Sequence, residues 1–354
     1  MKKILTISIM FLFIGMTIPS TGLVVEKPSY SLDNRGDTLY VGGSGPNNYT
    51  KIQDAIDDAS DGDTVFVYDD SSPYYERLNV DKSINLIGED RDTTAIESKG
   101  NVVEVSADWV NISDFTIRNA SDSGILVYSN YSTISGNNIH SNSHDGIYLK
   151  YSNSNVITGN NISNGVFDGI HLYHSNNNTI FGNNINLNNN CGLGLYDSNN
   201  NVISDNNISN NNFGLGLHSS NNIIKDNIIT SNNMIGLIVE GNSNTISSNN
   251  ISNNEFGIYL DSSNHNNITK NNIKNNEIFG LLLSSANNNI IELNNFIGNK
   301  IQAFFVFSWR NNWDGNYWNN WIGLKLPIPF KVIFGFIGIN FDWNPAREPY
   351  DIGV

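Results

Sequence analysis

The chain is short of the residues that most proteins use to fasten themselves or to grip nucleic acid. It has one cysteine, Cys191, so no internal disulfide framework exists. Lysine and arginine number 19 against 34 acids, a formal charge of -15, and no arginine occurs from Ala120 to Trp309. A phosphate-tracking surface needs a basic stripe, so nucleic acid is excluded as an expected partner. Three of the four methionines, Met1, Met10 and Met16, lie in the first 16 residues, leaving Met234 alone in the body of the chain. Beyond the N-terminus no apolar run is long enough to span a bilayer; the longest, "VIFGFIGI" at 332–339, is too short.

What is present is a repeat. Glycines open a Gly-aliphatic-x-aliphatic pattern at Gly124, Gly146, Gly169, Gly192, Gly214, Gly236, Gly257 and Gly280, at spacings of 21 to 23. A second register follows apolar pairs five apart, from Ile134/Ile139 to Ile291/Phe296. Each repeat holds short β-branched or aliphatic runs separated by Asn, Ser and Gly, and alternation within "GIYL" has the period of a strand. Three short strands per repeat cannot bury an apolar face alone. Stacking each coil on the next, at a rise of roughly 4.8 Å, solves that. The expectation is an all-β, single-stranded parallel β-helix with coils of about 22 residues. A leucine-rich repeat has a similar period, but the Asn-rich half of this repeat offers no outer limb of the required kind.

Asparagine recurs two residues before the second apolar position, at Asn137, Asn160, Asn183, Asn206, Asn227, Asn249, Asn271 and Asn294. Its parity matches the buried Ile, so a ladder of inward amides at a turn is expected, helped by the tolerance of Asn for left-handed geometry.

The ends differ from the middle. Residues 1–25 read as a secretory signal: "MKK", an apolar stretch from Ile4 to Ile18, then small residues. A retained membrane anchor is the alternative, since no Ala-x-Ala site follows. Residues 37–118 are expected to hold a cap and the first irregular coils. Ile52, Ala55, Ile56 and Ala59 are spaced for a short helix covering the open end, with Thr50 and Gln53 as a capping box. Regular repeats occupy 119–300. Residues 301–354 carry five of the six tryptophans and read as a C-terminal cap, with an aromatic sugar-binding surface as the rival reading.

The Gly-Ile-x-Leu and Asn-x-Ile-x-x-Asn-Asn-Ile repeats resemble the right-handed parallel β-helix repeats of the NosD-type family. The entry "YVGGSGPNNYTKIQDAIDDASDGDTVFVY" and the endings "NNWDGNYWNNW" and "FDWNPAREPYDI" are similar to segments of its secreted archaeal members. The resemblance implies the fold and a secreted or cell-surface location. It does not imply one activity, because related helices include sugar lyases, hydrolases, epimerases, binding proteins and copper-site maturation factors. Copper handling favours clustered Met, Cys and His. Here only His140/His144 and His171/His174 cluster, so copper is disfavoured and no cofactor is expected unless calcium bridges an acidic glycan.

With the repeat glycine as position zero, positions two and four face solvent. They stack Tyr128, Tyr148, Lys150, His171, Tyr173, Tyr196 and His218 into one patch, and rings flanked by hydrogen-bonding groups suit a sugar face. Ordinary cross-strand aromatic pairing is the alternative. Asp145 and Asp168 share the position before the glycine. Stacked carboxylates repel, one can hold its proton near neutrality, and an acid–base pair arises that way; Asp-Gly is also a common turn dipeptide. The expected function is binding or scaffolding of a polysaccharide, with a polysaccharide-modifying enzyme (lyase, epimerase or hydrolase) or a structural envelope rod as alternatives.

Overall fold

Three strand runs per repeat become three parallel sheets. A computed structural model describes residues 36–320, 331–334 and 339–353; the proposed signal at 1–25 lies outside them. The sheets contain 15, 11 and 12 strands. The 11-stranded sheet is built from the Gly-Ile-x-Leu segments, such as Ile147–Lys150 and Ile170–Tyr173. The 15-stranded sheet takes segments such as Val156–Thr158, and the 12-stranded sheet those such as Asn161–Ser163. Each strand pairs with its counterpart one repeat away in exact phase: Ile147 opposes Ile170, Ile157 opposes Ile180, and Ile162 opposes Ile185. The inward aliphatics form one continuous core, and Ile147, Leu149, Ile157 and Ile162 are fully buried.

The repeat glycines mark a corner too tight for a side chain. A Cβ on Gly146 would sit 2.5 Å from the Ile162 Cγ2 and 2.6 Å from the Gly169 carbonyl oxygen.

The expected amide ladder is present. Asn206 Nδ2 donates to Asn227 Oδ1 at 3.0 Å, while its own Oδ1 accepts from the Nδ2 and backbone N–H of Asn183, each at 3.0 Å. The left-handed residue is not this asparagine but the one before it: Gly159, Gly182, Asp205, Asp226 and their equivalents. Two further buried ladders run beside it. One passes through Asn155, Asn178, Asn201 and Asn222, and another through Asn188, Asn211, Asn232 and Asn254.

The ends are closed as the apolar spacing suggests, with two corrections. Helix Ile52–Asp58 buries Ile52, Ala55 and Ile56, but its N-cap is Lys51, whose own side chain makes no capping bond. The proposed Thr50/Gln53 box is replaced by Glu76, whose two carboxylate oxygens accept from the N–H groups of Ile52 and Gln53. Gln53 instead reaches Asn79. At the other end the coils run past residue 300, because Ile301–Val306, Asn312–Asp314 and Tyr317–Trp318 continue the three sheets. The glycine signal stops there because Gln302 takes the glycine's place and closes one ladder by accepting from Asn299 Nδ2 at 2.6 Å. Trp313 and Trp318 are buried in the cap, whereas Trp309 and Trp343 are exposed.

Candidate functional site

The outward residues of the 11-stranded sheet fall into register rows. Tyr148, His171 and Gly194 share one row, and Lys150, Tyr173, Tyr196 and His218 share the other. The rings do not form one even patch. His171 is sandwiched between Tyr148, at a centroid distance of 4.6 Å, and Tyr196, at 5.0 Å, and Tyr196 stacks in turn on His218 at 4.8 Å. Tyr173 turns away to Tyr151 and His174. Tyr128 stands apart, with the Lys150 ammonium 5.9 Å from its ring centre.

Asp145 and Asp168 lie beneath this surface. Both are fully buried, so neither carboxylate faces a ligand directly. Asp145 Oδ2 is hydrogen-bonded to His144 Nδ1 at 2.9 Å and to His171 Nδ1 at 3.1 Å. An ionised carboxylate only accepts, so both imidazoles carry their proton on Nδ1. No bond to the other ring nitrogen of His171, Nε2, is found among the described residues. Burial alone would raise Asp145, but the bonds from His144 and His171 outweigh it and hold its carboxyl below the ordinary range. The bond to Asp145 raises His144 above the usual imidazole value.

Asp168 is the opposite case. Its Oδ1 accepts from Asn190 Nδ2 at 2.7 Å and from the Cys191 N–H at 2.9 Å, while Oδ2 has no hydrogen-bond partner. Burial, and then the charge of Asp145, push its pKa up to about 6. Space for it comes from Gly194, where a Cβ would lie 2.8 Å from Asp168 Oδ2 and 2.9 Å from the Tyr196 ring. Burial also raises the Cys191 thiol, so it is not a nucleophile at neutral pH. Burial, and then Asp145, push Tyr148 up to about 12.

Asp145, Asp168 and His171 each bring one ligand atom within 4.8 Å of the others, so this trio could hold a cation, although none was expected from the sequence. His144 and Phe167, stacked at 4.7 Å, and Tyr151 were missed by the position-two and position-four reading, because they stand in the turns that flank the strands.

Three stacked sheets wound from one strand each define a parallel β-helix. The family model described as "Right handed beta helix region" matches residues 101–236, and that described as "Periplasmic copper-binding protein (NosD)" matches residues 186–323. Over these residues the chain matches the right-handed β-helix repeats of the NosD type that its sequence resembles. No curated protein matches it. Among solved structures it is similar to the A-module of the mannuronan C-5 epimerase AlgE6 of Azotobacter vinelandii, at a TM-score of 0.66 and 17% identity over 84% of this chain and 91% of that one. It is also similar to DFA-IIIase of Arthrobacter chlorophenolicus A6 in complex with GF2 (TM-score 0.63, 10% identity, 78% and 93% covered) and to pectate lyase Pel9A (0.55, 13%, 67% and 77%). At these identities the likeness is one of fold. Among the described residues no helix is long and apolar enough to cross a membrane.

Proposed function

We propose that this protein is an extracytoplasmic glycan-modifying enzyme that works by proton transfer, with His171 Nε2 as the base, His144 as the acid and Asp145 as the positioning residue for both. One observation carries this reading: a buried carboxylate holds two imidazoles by Nδ1. Equivalent positions on later coils hold Cys191, Phe213, Ile235, Phe256 and Phe279. Exchanging an apolar residue for a buried acid costs desolvation energy, and perturbed buried acids of this kind cluster at functional sites. The carboxylate fixes each tautomer, and its bond to His144 raises that imidazole above its usual value, which favours the protonated form an acid needs. The rings of Tyr148 and Tyr196 flank His171 and hold its imidazole in place at this surface. The three solved structures above carry the names of an epimerase, a lyase and DFA-IIIase, which suits carbohydrate chemistry on this fold.

Copper fits poorly. His218 pairs with Glu240 at 2.6 Å, His174 faces Asp197 at 3.9 Å, and the one cysteine, Cys191, is buried. The remaining donor trio is rich in oxygen, unlike a soft copper site. Calcium prefers six to eight oxygens, which two buried carboxylates and an imidazole do not supply. No step is assigned to a metal.

The test is incubation of the full chain with a polysaccharide panel in heavy water. Bound polymer, new chain ends, unsaturated products and solvent deuterium at sugar carbons are scored together. His171→Asn and Asp145→Asn should abolish turnover and retain binding. Binding with no chemistry on any polymer would replace this reading with a purely binding one, which the same ring-lined surface would serve.

A further inference from the structure

A second feature lies on later coils, at the corner that follows the 11-stranded sheet. Each coil places a dipeptide there. The first residue is Asn130, Asn153, Asn176, Asn199, Ser220, Asn242, Asn264 and Asn287 in turn, and the row ends on Trp309. The row is real in the structure, because each amide oxygen accepts the next coil's backbone N–H: Asn242 Oδ1 from Asn264 at 2.7 Å, Asn264 Oδ1 from Asn287 at 3.0 Å, and Asn287 Oδ1 from Trp309 at 2.7 Å. The second residue is left-handed throughout. It is Tyr131, Ser154, Asn177, Asn200, Asn221 and Ser243, then His265, Asn288 and Arg310. Around the last three of these residues a groove of about 790 Å³ opens between Asn242 and Arg310.

We propose that this groove binds an acidic oligosaccharide. Trp309, 46% exposed, supplies an indole on which a pyranose ring can stack. The amides of Asn242 and Asn288, with the His265 ring, supply donors and acceptors that suit hydroxyls. Arg310 supplies the charge. It is the first arginine after Arg118, and among the described residues it has no carboxylate partner, in a chain whose acids outnumber its cations. A guanidinium left unpaired there matches a sugar carboxylate as a planar, two-toothed donor. The volume lies within the usual range of roughly 300–1,000 Å³ for ligand clefts. The site is distinct from the His171 surface, and it shares with the preceding reading only the idea that the protein meets glycans.

Binding of short oligogalacturonate, oligomannuronate and oligoglucuronate to the full chain, each beside its carboxyl-reduced neutral counterpart, tests the assignment by calorimetry and saturation-transfer NMR. At least one acidic probe should bind more tightly than its reduced form. Trp309→Ala should weaken that binding about tenfold or more, equivalent to about 1.4 kcal/mol. Arg310→Gln should bind the acidic and reduced probes alike. His171→Asn, run alongside, should leave the affinity at this groove unchanged even where it removes turnover. No binding of any acidic probe, unchanged affinity in Trp309→Ala, or persistent preference for the acid in Arg310→Gln would each overturn the proposal.

Discussion

At the scale of single residues, Asp145 and Asp168 show how the same residue type in equivalent positions of two coils comes to opposite behaviour. Asp145 faces two imidazoles and is held ionised, whereas Asp168 has a bare Oδ2 and is raised to about 6 from 3.8. A carboxyl whose folded pKa is raised binds its proton more tightly in the native state. Its contribution is therefore favourable at low pH, and stability is lost as the pH climbs from about 3.8 through about 6. Asp168→Asn removes that loss while its amide oxygen still accepts from Asn190 and Cys191. The variant should melt above the parent near neutral pH and level with it in acid, below the ordinary carboxylate value. A gap of constant size across that range would show that Asp168 does not titrate there. Part of this site was legible in the sequence, because the repeat phase places Tyr148, His171 and the Asp pair on neighbouring coils. The roles were not legible. Register gives which rows stack but not depth: the slot's Cys, Phe and Ile on later coils suggest half-burial, whereas both carboxylates are fully buried. His144 and Phe167 were missed because turn residues follow no strand alternation.

At the scale of the coil, amides do the work that disulfides do elsewhere. The regular coils fix their corners by buried Asn side chains that bond to the next coil and back to the previous one. Asn206 Nδ2 alone serves Asn227 Oδ1, the Ile180 carbonyl and the Ser204 carbonyl. Asn206→Leu adds apolar area but takes away the acceptor of the Asn183 N–H and the amide donor to the Ile180 carbonyl. It should cost about 1–3 kcal/mol for each buried group left orphaned, whereas Asn207→Leu, at an exposed position, should change the melt little. Equal effects would mean that the ladder carries no net stability. Ile203→Asp, at a fully buried site, should be worse than either, since it places an unpaired charge in the core. One ladder was legible because its Asn keeps a fixed offset from the second Ile of each pair. The others have offsets just as regular, two before the first Ile and three after the second, but Ser132 and Gly165 interrupt them near the start and hide the row.

At the scale of the whole molecule, a β-helix is a one-dimensional stack, so its stability resides in neighbour contacts and its weakness at its two ends. The N-terminal end is shut by helix Ile52–Asp58, held through Glu76. At the C-terminal end the main amide ladder runs from Asn294 to Asn316 and stops on a carboxylate. Asp342, fully buried, accepts from Asn316 N–H and Nδ2 at 3.0 Å each and from Trp318 Nε1 at 2.9 Å. Its other oxygen accepts from Gly315 at 3.1 Å and Asn344 at 3.2 Å. An acid suits this place because the last amide offers only donors and nothing above it needs to be donated to. The strand pair Lys331–Phe334 and Ile339–Asp342 then lies across the edge of the 15-stranded sheet, the one antiparallel pair among the described strands. Asp342→Ala removes the acceptor for all five donors and loosens the strand that covers the edge. An uncovered parallel edge is a template for pairing with another chain. The variant should therefore melt below the parent and, on light scattering, self-associate more steeply with concentration. Asp342→Asn, which keeps one acceptor oxygen, should fall between the two. A variant that melts lower without associating would mean that the cap stabilises the last coil but does not guard its edge. One that matches the parent in both would show that the ladder needs no terminus at all.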